Sequence, residues 1–447
     1  MNIFIRALTI FLILFQFINI SSEPYSNSDD EKIDPGYEKL LKWGLSHNLS
    51  ITEKIRFIKE KDTKQYIAKN LIPEDDIIMD IPPECMLNIN STLSLLNSKK
   101  FSKAYEKYIE IDKSNTAEME NLKDSHRVEQ AFMAYVLYTV NKHKKKYKKN
   151  NFVKYYSPMF YMFKQNLDHL PFYFSSDQMK LFFNTSFGSI FDIMNKYLLE
   201  EASIFEKQIF NNTVDFEGYL RYRIFTVQKS FEVNKTLNLV PFIDYIKRDF
   251  QNINCEFFIN SDNHIILKAK TNIFPGEELI NNPFAISNDH RLIFFGETFE
   301  EIKEKIQAFN IPSLIPNYIT DKEVDFDITS LGPKARVDLI EIDFYKPLIF
   351  VYKKFARLIG EEDSDKNACK LMLKYITRIR DNYDFVTKDQ IREEFFSEKD
   401  AENVWRIIDG EKQFLNRRIE ILKIYMKNQE EKSKEKKNYD AEDVNDL

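Results

Sequence analysis

The chain has 447 residues, with 64 Lys and Arg against 70 Asp and Glu for a net charge of −6. That length exceeds a single core of ~150 residues, so several domains are expected, and the balance of charge gives no global positive field to recruit nucleic acid. Cys85, Cys255 and Cys369 are too few for a disulfide framework, and His47, His126, His143, His169, His264 and His290 show no metal-ligand spacing.

Met1 to Ile20 carries Arg6, an apolar run from Ala7 to Phe15 and then Ser21-Ser22-Glu23. The run is shorter than the ~20 residues a membrane span needs, so residues 1–22 read as a cleaved secretory signal, with an uncleaved anchor as the rival. Asn48, Asn90, Asn184, Asn211 and Asn234 each open an N-x-S/T triplet, the acceptor pattern for glycosylation in the secretory lumen. A secreted or endoplasmic-reticulum-luminal protein with no span after cleavage is expected.

A polar linker, 23–36, precedes Tyr37, Leu40 and Leu41, which recur at helical spacing before Gly44. Ile55–Ile58, Tyr66–Ala68 and Ile77–Ile81 are short apolar runs, the last closed by Pro82-Pro83, and read as strands of a small sheet. Residues 92–230 then read as helical, with Val128, Ala131, Phe132, Tyr135, Val136 and Thr139 on one face after a capping Asp124-Ser125. Lys142 to Lys149 is a basic run, read as a solvated loop. Strands return at Cys255–Ile259 and His264–Ala269 around the turn cluster Asn260-Ser261-Asp262-Asn263.

Beyond Ile311-Pro312 the pattern is helical. Ala368, Met372, Tyr375, Ile376 and Ile379 form one stripe, and Val404, Ile408, Leu415, Ile419, Leu422 and Met426 another. Residues 427–447 are charged with almost nothing apolar, and are expected to be disordered.

One segment joins these elements into a pattern. Leu239-Val240-Pro241-Phe242-Ile243-Asp244-Tyr245-Ile246-Lys247-Arg248, a hairpin, Pro275-Gly276-Glu277-Glu278, Pro283 to Asn288 and Phe295-Gly296 follow one another in order. This order resembles the C-terminal half of a SET domain of the Rubisco large-subunit methyltransferase-like class. Leu170 to Asp177 and Gly410 to Leu415 resemble that class's insert and its Gly-Glu-Lys segment. The resemblance implies an α+β fold: a SET-type β-fold at 37–305 with a helical insert at about 92–230, then an all-α substrate-binding-like domain at 311–426.

The same resemblance implies an AdoMet-dependent protein-lysine N-methyltransferase and a cofactor cleft lined by Lys64, Gln65, Tyr66, Lys229, Lys247, Arg248 and Asn288. The residues at these places depart from the family. Thr63 to Ala68 has no glycine where an Arg-Gly step admits the cofactor, so a Cβ meets the ligand. The arginine that contacts the cofactor carboxylate aligns with Ser230, beside Lys229, a cation without a bidentate fork. Lys247-Arg248 replaces an Asn-His pair with two cations that repel a sulfonium, and Pro283 stands where the catalytic tyrosine is expected, with no hydroxyl. Catalytic residues are therefore none.

The reading is a degenerate, inactive SET-fold member, without metal, that binds a peptide or protein partner in the secretory pathway. The alternative is an active lysine methyltransferase that uses AdoMet through Lys229 and Asn288, and a third class is a self-associating component of a cortical or surface layer. Cys85 and Cys255 are the expected disulfide pair, because both sit at the edges of predicted strands whereas Cys369 lies on a helix.

Overall fold

The structure is a computed structural model that describes residues 34–302 apart from 61–62, 117–124, 164–165, 184 and 283–287, scattered positions from 349 to 364, and 365–442 apart from 396. The expected signal segment, Asn184 and Pro283 lie outside the described residues. The first helix, α1 (Pro35–Leu45), starts where Asp34 accepts the backbone N–H groups of Gly36 and Tyr37, with proline at the first helical position.

Strands β1 (Ser50–Ile51), β2 (Ile55–Glu60), β3 (Thr63–Ala68) and β4 (Ile77–Ile81) follow. β2 and β3 form a separate antiparallel ribbon, while β1 and β4 enter a six-stranded sheet. The insert begins at α2 (Ile89–Leu96), held by a capping box between Asn88 and Ser91. It continues through α3 (Lys99–Thr116), α4 (Ser125–Lys142), α5 (Lys144–Tyr147), α6 (Asn151–Tyr156), α7 (Ser186–Ser203) and α8 (Phe216–Gln228). The sequence predicts one apolar face on α4, yet every residue from Ala131 to Val140 is buried. A helix packed on all sides by its neighbours loses the amphipathic contrast that a one-sided helix shows.

Residues 230–239 hold an unexpected hairpin, β5 (Ser230–Val233) and β6 (Thr236–Leu239). Its two-residue turn, Asn234-Lys235, has positive φ at both positions (50° and 61°), as the right-handed twist of the flanking strands requires. Next come β7 (Lys247–Arg248), the hairpin β8 (Cys255–Ile259) and β9 (Ile265–Ala269), and β10 (Ile280–Asn281). The sheet order is β1-β4-β9-β8-β10-β7, with β10 parallel to both of its neighbours. α9 (Asn288–Phe295) closes this part of the chain.

The C-terminal region has α10 (Asp365–Asp381), α11 (Lys388–Glu394) and α12 (Glu398–Glu442). Of the expected stripe α10 buries Ala368, Met372 and Ile376, while Tyr375 and Ile379 are half-buried. The 427–447 tail was expected to lack order, but α12 runs on to Glu442. Ion pairs support the start of this polar extension, Lys427 with Glu431 (3.9 Å) and Lys366 of α10 with Glu430 (3.0 Å).

The expected Cys85–Cys255 bridge is also corrected: all three cysteines are free and buried. Cys255 opens β8, which β9 separates from β4, so the two strands are about 9.6 Å apart, against the ~7 Å that bridging allows. Along the sheet, Cys255 pairs with Ala269 at the Ile77 end of β4, whereas Cys85 follows its Ile81 end. Each thiol is held by carbonyl oxygens instead, Cys85 near Gly44 and His47 (3.7 and 3.5 Å) and Cys255 at Ile280 (3.2 Å).

Candidate functional site

Three chain segments meet at Leu279. Its N–H donates to the Tyr66 carbonyl (3.1 Å) and its carbonyl accepts from the Lys247 N–H (2.9 Å), so β3 and β7 are stitched to opposite sides of one residue. The preceding turn, Phe274 to Glu277, needs Gly276 at φ 89°, with Glu277 N–H closing onto the Phe274 carbonyl (3.1 Å). Segments remote in sequence thus form one wall.

A cavity of about 670 Å³ lies between this wall, α8, the loop after α9, and α12. Lys64, Gln65, Lys229, Lys247 and Arg248 line it, as does the loop Glu297–Glu301 and, from α12, Asn403 and Arg406. Its volume is in the range of small-molecule sites. Five of the seven residues expected to line a cofactor cleft therefore converge. Two do not present side chains to it. Tyr66 is wholly buried among Tyr37, Phe57 and Tyr245, with its hydroxyl accepting from that of Tyr37 (3.2 Å). Asn288 is also wholly buried: its Nδ2 donates to the Phe299 carbonyl and its Oδ1 accepts the Phe299 N–H, both at 2.9 Å.

The charges that remain answer one another. Six basic and six acidic side chains line the cavity. Lys229, 2 % exposed, places Nζ 2.5 Å from Asp244 Oδ2, and burial pushes its pKa below the ordinary lysine value even beside that carboxylate. Lys247 pairs with Glu278 (2.7 Å), and Arg248 approaches Glu297 (3.9 Å) while stacking over Phe295 (4.7 Å). Arg291, behind the wall, shares Glu297 at 3.0 Å. Arg406 lies 3.6 Å from both Glu300 and Glu402. Lys64 stands over the Tyr161 ring at 4.4 Å, its pKa also lowered by burial.

Asp244 is the residue that reading the sequence undervalued. It is delivered by a short turn, Ile243–Tyr245, that starts from Phe242 at φ 74°. A bulky residue in the left-handed region costs about 1–2 kcal/mol, held here because the Phe242 ring is fully buried against Gly44. The signal was present: a lone acid at Phe242-Ile243-Asp244-Tyr245, one turn from two cations. Pairing with Lys229 across the fold was not visible in sequence.

α12 closes the cavity through polar contacts. Asn403 accepts the Thr298 N–H (3.0 Å) and donates to the Gly296 carbonyl (2.9 Å). Gly296 has φ 63°, and a Cβ there would lie 2.1 Å from the His169 ring, so both backbone and space demand glycine. Further along α12, the buried Glu411 accepts the N–H groups of Ser186 and Phe187 (2.9 and 2.8 Å) at the start of α7, and the Tyr383 hydroxyl. Among the described residues no group of His, Cys, Asp and Glu is placed to hold a metal ion, and no helix is long and apolar enough to cross a membrane.

No protein-family model matches the sequence, and no curated protein matches it. Solved structures do match in fold. The SET domain of LSMT bound to lysine and AdoHcy is 13% identical, over 88% of this chain and 92% of that one, with a TM-score of 0.52. Rubisco LSMT bound to sinefungin and monomethyllysine is 14% identical, over 88% and 92%, with a TM-score of 0.55. Rubisco LSMT bound to AdoMet is 14% identical, over 88% and 93%, with a TM-score of 0.53. The chain has the LSMT-like SET fold, mixed sheet and helix with a C-terminal helical region.

Proposed function

We propose that this SET-fold chain is a degenerate methyltransferase, inactive in methyl transfer, that serves as a peptide- or protein-binding module in the secretory pathway. The observation that carries the reading is the buried Lys229–Asp244 ion pair in the cavity wall. A cofactor carboxylate that recruited Lys229 would strand Asp244 without its partner. Breaking a buried pair in this way costs ~3–5 kcal/mol, which the ligand would have to repay before binding.

The neighbouring positions support the same reading. The Asn288 amide is spent on Phe299, Lys247 and Arg248 are taken up by Glu278 and Glu297, and Gln65 puts a side chain on the cavity wall. Transition-state stabilisation needs preorganised groups aimed at the reacting atoms, and these are aimed at one another. Four of the sequons, Asn48, Asn90, Asn211 and Asn234, are exposed and so open to the glycosylation this reading implies.

The alternative, an active protein-lysine methyltransferase, is favoured by one fact: solved structures of this fold hold AdoMet, and lysine with AdoHcy. Incubating the full chain with radiolabelled AdoMet and a panel of lysine-bearing proteins separates the two. No label above a heat-killed control is expected, whereas stoichiometric transfer to any lysine would remove the degenerate reading.

A further inference from the structure

Two stretches of this acidic chain contain no Asp or Glu at all, residues 85–105 and 130–167, and neither contains an Arg. Their basic residues are all lysines apart from His143. The fold brings the two stretches together. The Phe101 and Tyr147 rings meet at 6.4 Å between centroids, and Asn150 Nδ2 donates to the Leu96 carbonyl (3.1 Å). Lys99, Lys100 and Lys103 at the start of α3 therefore lie beside the 142–149 segment that ends α4, makes α5 and leads into α6.

Every lysine between 142 and 149 is exposed, as are those at 99, 100, 103 and 154. Among the described residues, none of them pairs with an acidic side chain. Lys142 donates to the Tyr138 hydroxyl (2.7 Å) and, in the last turn of α4, also meets the negative helix end, which accounts for that one lysine. Of the others, Lys100 and Lys146 lie over the Phe210 and Tyr147 rings (5.5 and 5.8 Å), contacts that do not neutralise their charge. The remainder of the molecule is strongly acidic, since the whole chain is net −6. Unneutralised like charges repel one another and create a local positive potential that a polyanion would relieve.

The geometry points to this lysine face as a docking surface for a sulfated polysaccharide. Lysine rather than arginine argues for diffuse, repeated anions, because ammonium groups are point charges without the planar fork that grips one phosphate or carboxylate. Single-stranded nucleic acid is disfavoured, since Phe101 and Tyr147 are packed on each other and offer no free ring for base stacking. A bilayer is disfavoured, since the 142–149 segment has no exposed apolar side chain to insert. A sulfated glycan is the polyanion met outside the cell, so the choice of partner rests on the secretory reading above.

The test uses the full chain, a heparin decasaccharide, its fully desulfated form, and vesicles with a third of their lipid anionic. Wild type should bind the sulfated decasaccharide with an affinity that falls with salt, as counterion release requires, at a log–log slope of about −3 to −5. Reversing Lys144, Lys145, Lys148 and Lys149 to Glu should weaken binding at least tenfold and flatten the slope, with the fold retained by circular dichroism because all four are exposed. Reversing Lys374 and Lys423, exposed on α10 and α12, should change nothing. Equal loss in that control, equal binding of the desulfated sugar, or tighter binding to the vesicles would each overturn the proposal. Glycosidase sensitivity of the protein secreted from cells tests the secretory reading separately, so failure of one is distinguishable from failure of the other.

Discussion

Glu411 and Asp289 should make the docking of α12 pH-dependent. Glu411 is fully buried; desolvation raises its pKa to about 7, although the Tyr383 hydroxyl and the Ser186 and Phe187 N–H groups pull the other way. Asp289, on α9, is held well above the carboxylate range by burial and by the charge of Glu411, and its Oδ1 has no hydrogen-bond partner. Both folded values exceed the unfolded ones, so the native state keeps protons that the unfolded chain releases. The stabilisation is complete below pH ~4.5 and is lost as pH rises through 7, and for Glu411 the loss amounts to about 3 kcal/mol. His169 acts in the opposite sense, because burial lowers its pKa, so wild type alone does not isolate the carboxyl pair. Asp289→Asn does: it removes one charge of the pair without a change of shape. Urea unfolding at pH 5, 6, 7 and 8 should show the variant gaining on wild type as pH rises, by ~1–3 kcal/mol at pH 8. Parallel curves for the two proteins would refute this account of the buried carboxyls.

Lys229→Ala should lower stability by ~3–5 kcal/mol, while Lys229→Met with Asp244→Leu should recover most of it in the same urea titration; an equal cost in both would mean the pair is not a unit. Asn288→Ala removes two hydrogen bonds to Phe299 and should cost ~2–3 kcal/mol, seen as a lower unfolding midpoint. The three thiols should react with a disulfide reagent only after denaturation, since burial pushes Cys85 and Cys255 up to about 12, and unfolding should be the same with and without reductant.

How much of this was legible in the sequence depended on how local the signal was. The β8–β9 hairpin was plain, because Asn260 to Asn263 is turn chemistry between two apolar runs, and Asn260 Oδ1 does accept the His264 N–H (2.9 Å). The β5–β6 hairpin was missed although Asn234-Lys235 carries the same kind of signal, since its strands have four residues each and follow directly on α8. Lys64, Gln65, Lys229, Lys247 and Arg248 were found through the order of segments, and the cavity gathers them. Tyr66 turns its ring into the core through strand alternation and adds only backbone to the wall, and an asparagine that closes a loop, as Asn288 does, looks the same in sequence as one that meets a ligand. The pairs Lys229–Asp244 and Glu411–Ser186 span 15 and 225 positions, and nothing in a single sequence announces who meets whom.

The central claim is that internal ion pairs have closed this cleft to AdoMet. Isothermal titration of the full chain with AdoMet up to millimolar concentration tests it most directly. The account predicts no saturable heat, for wild type and for Pro283→Tyr alike; a saturable isotherm with micromolar Kd on the wild-type protein would contradict it.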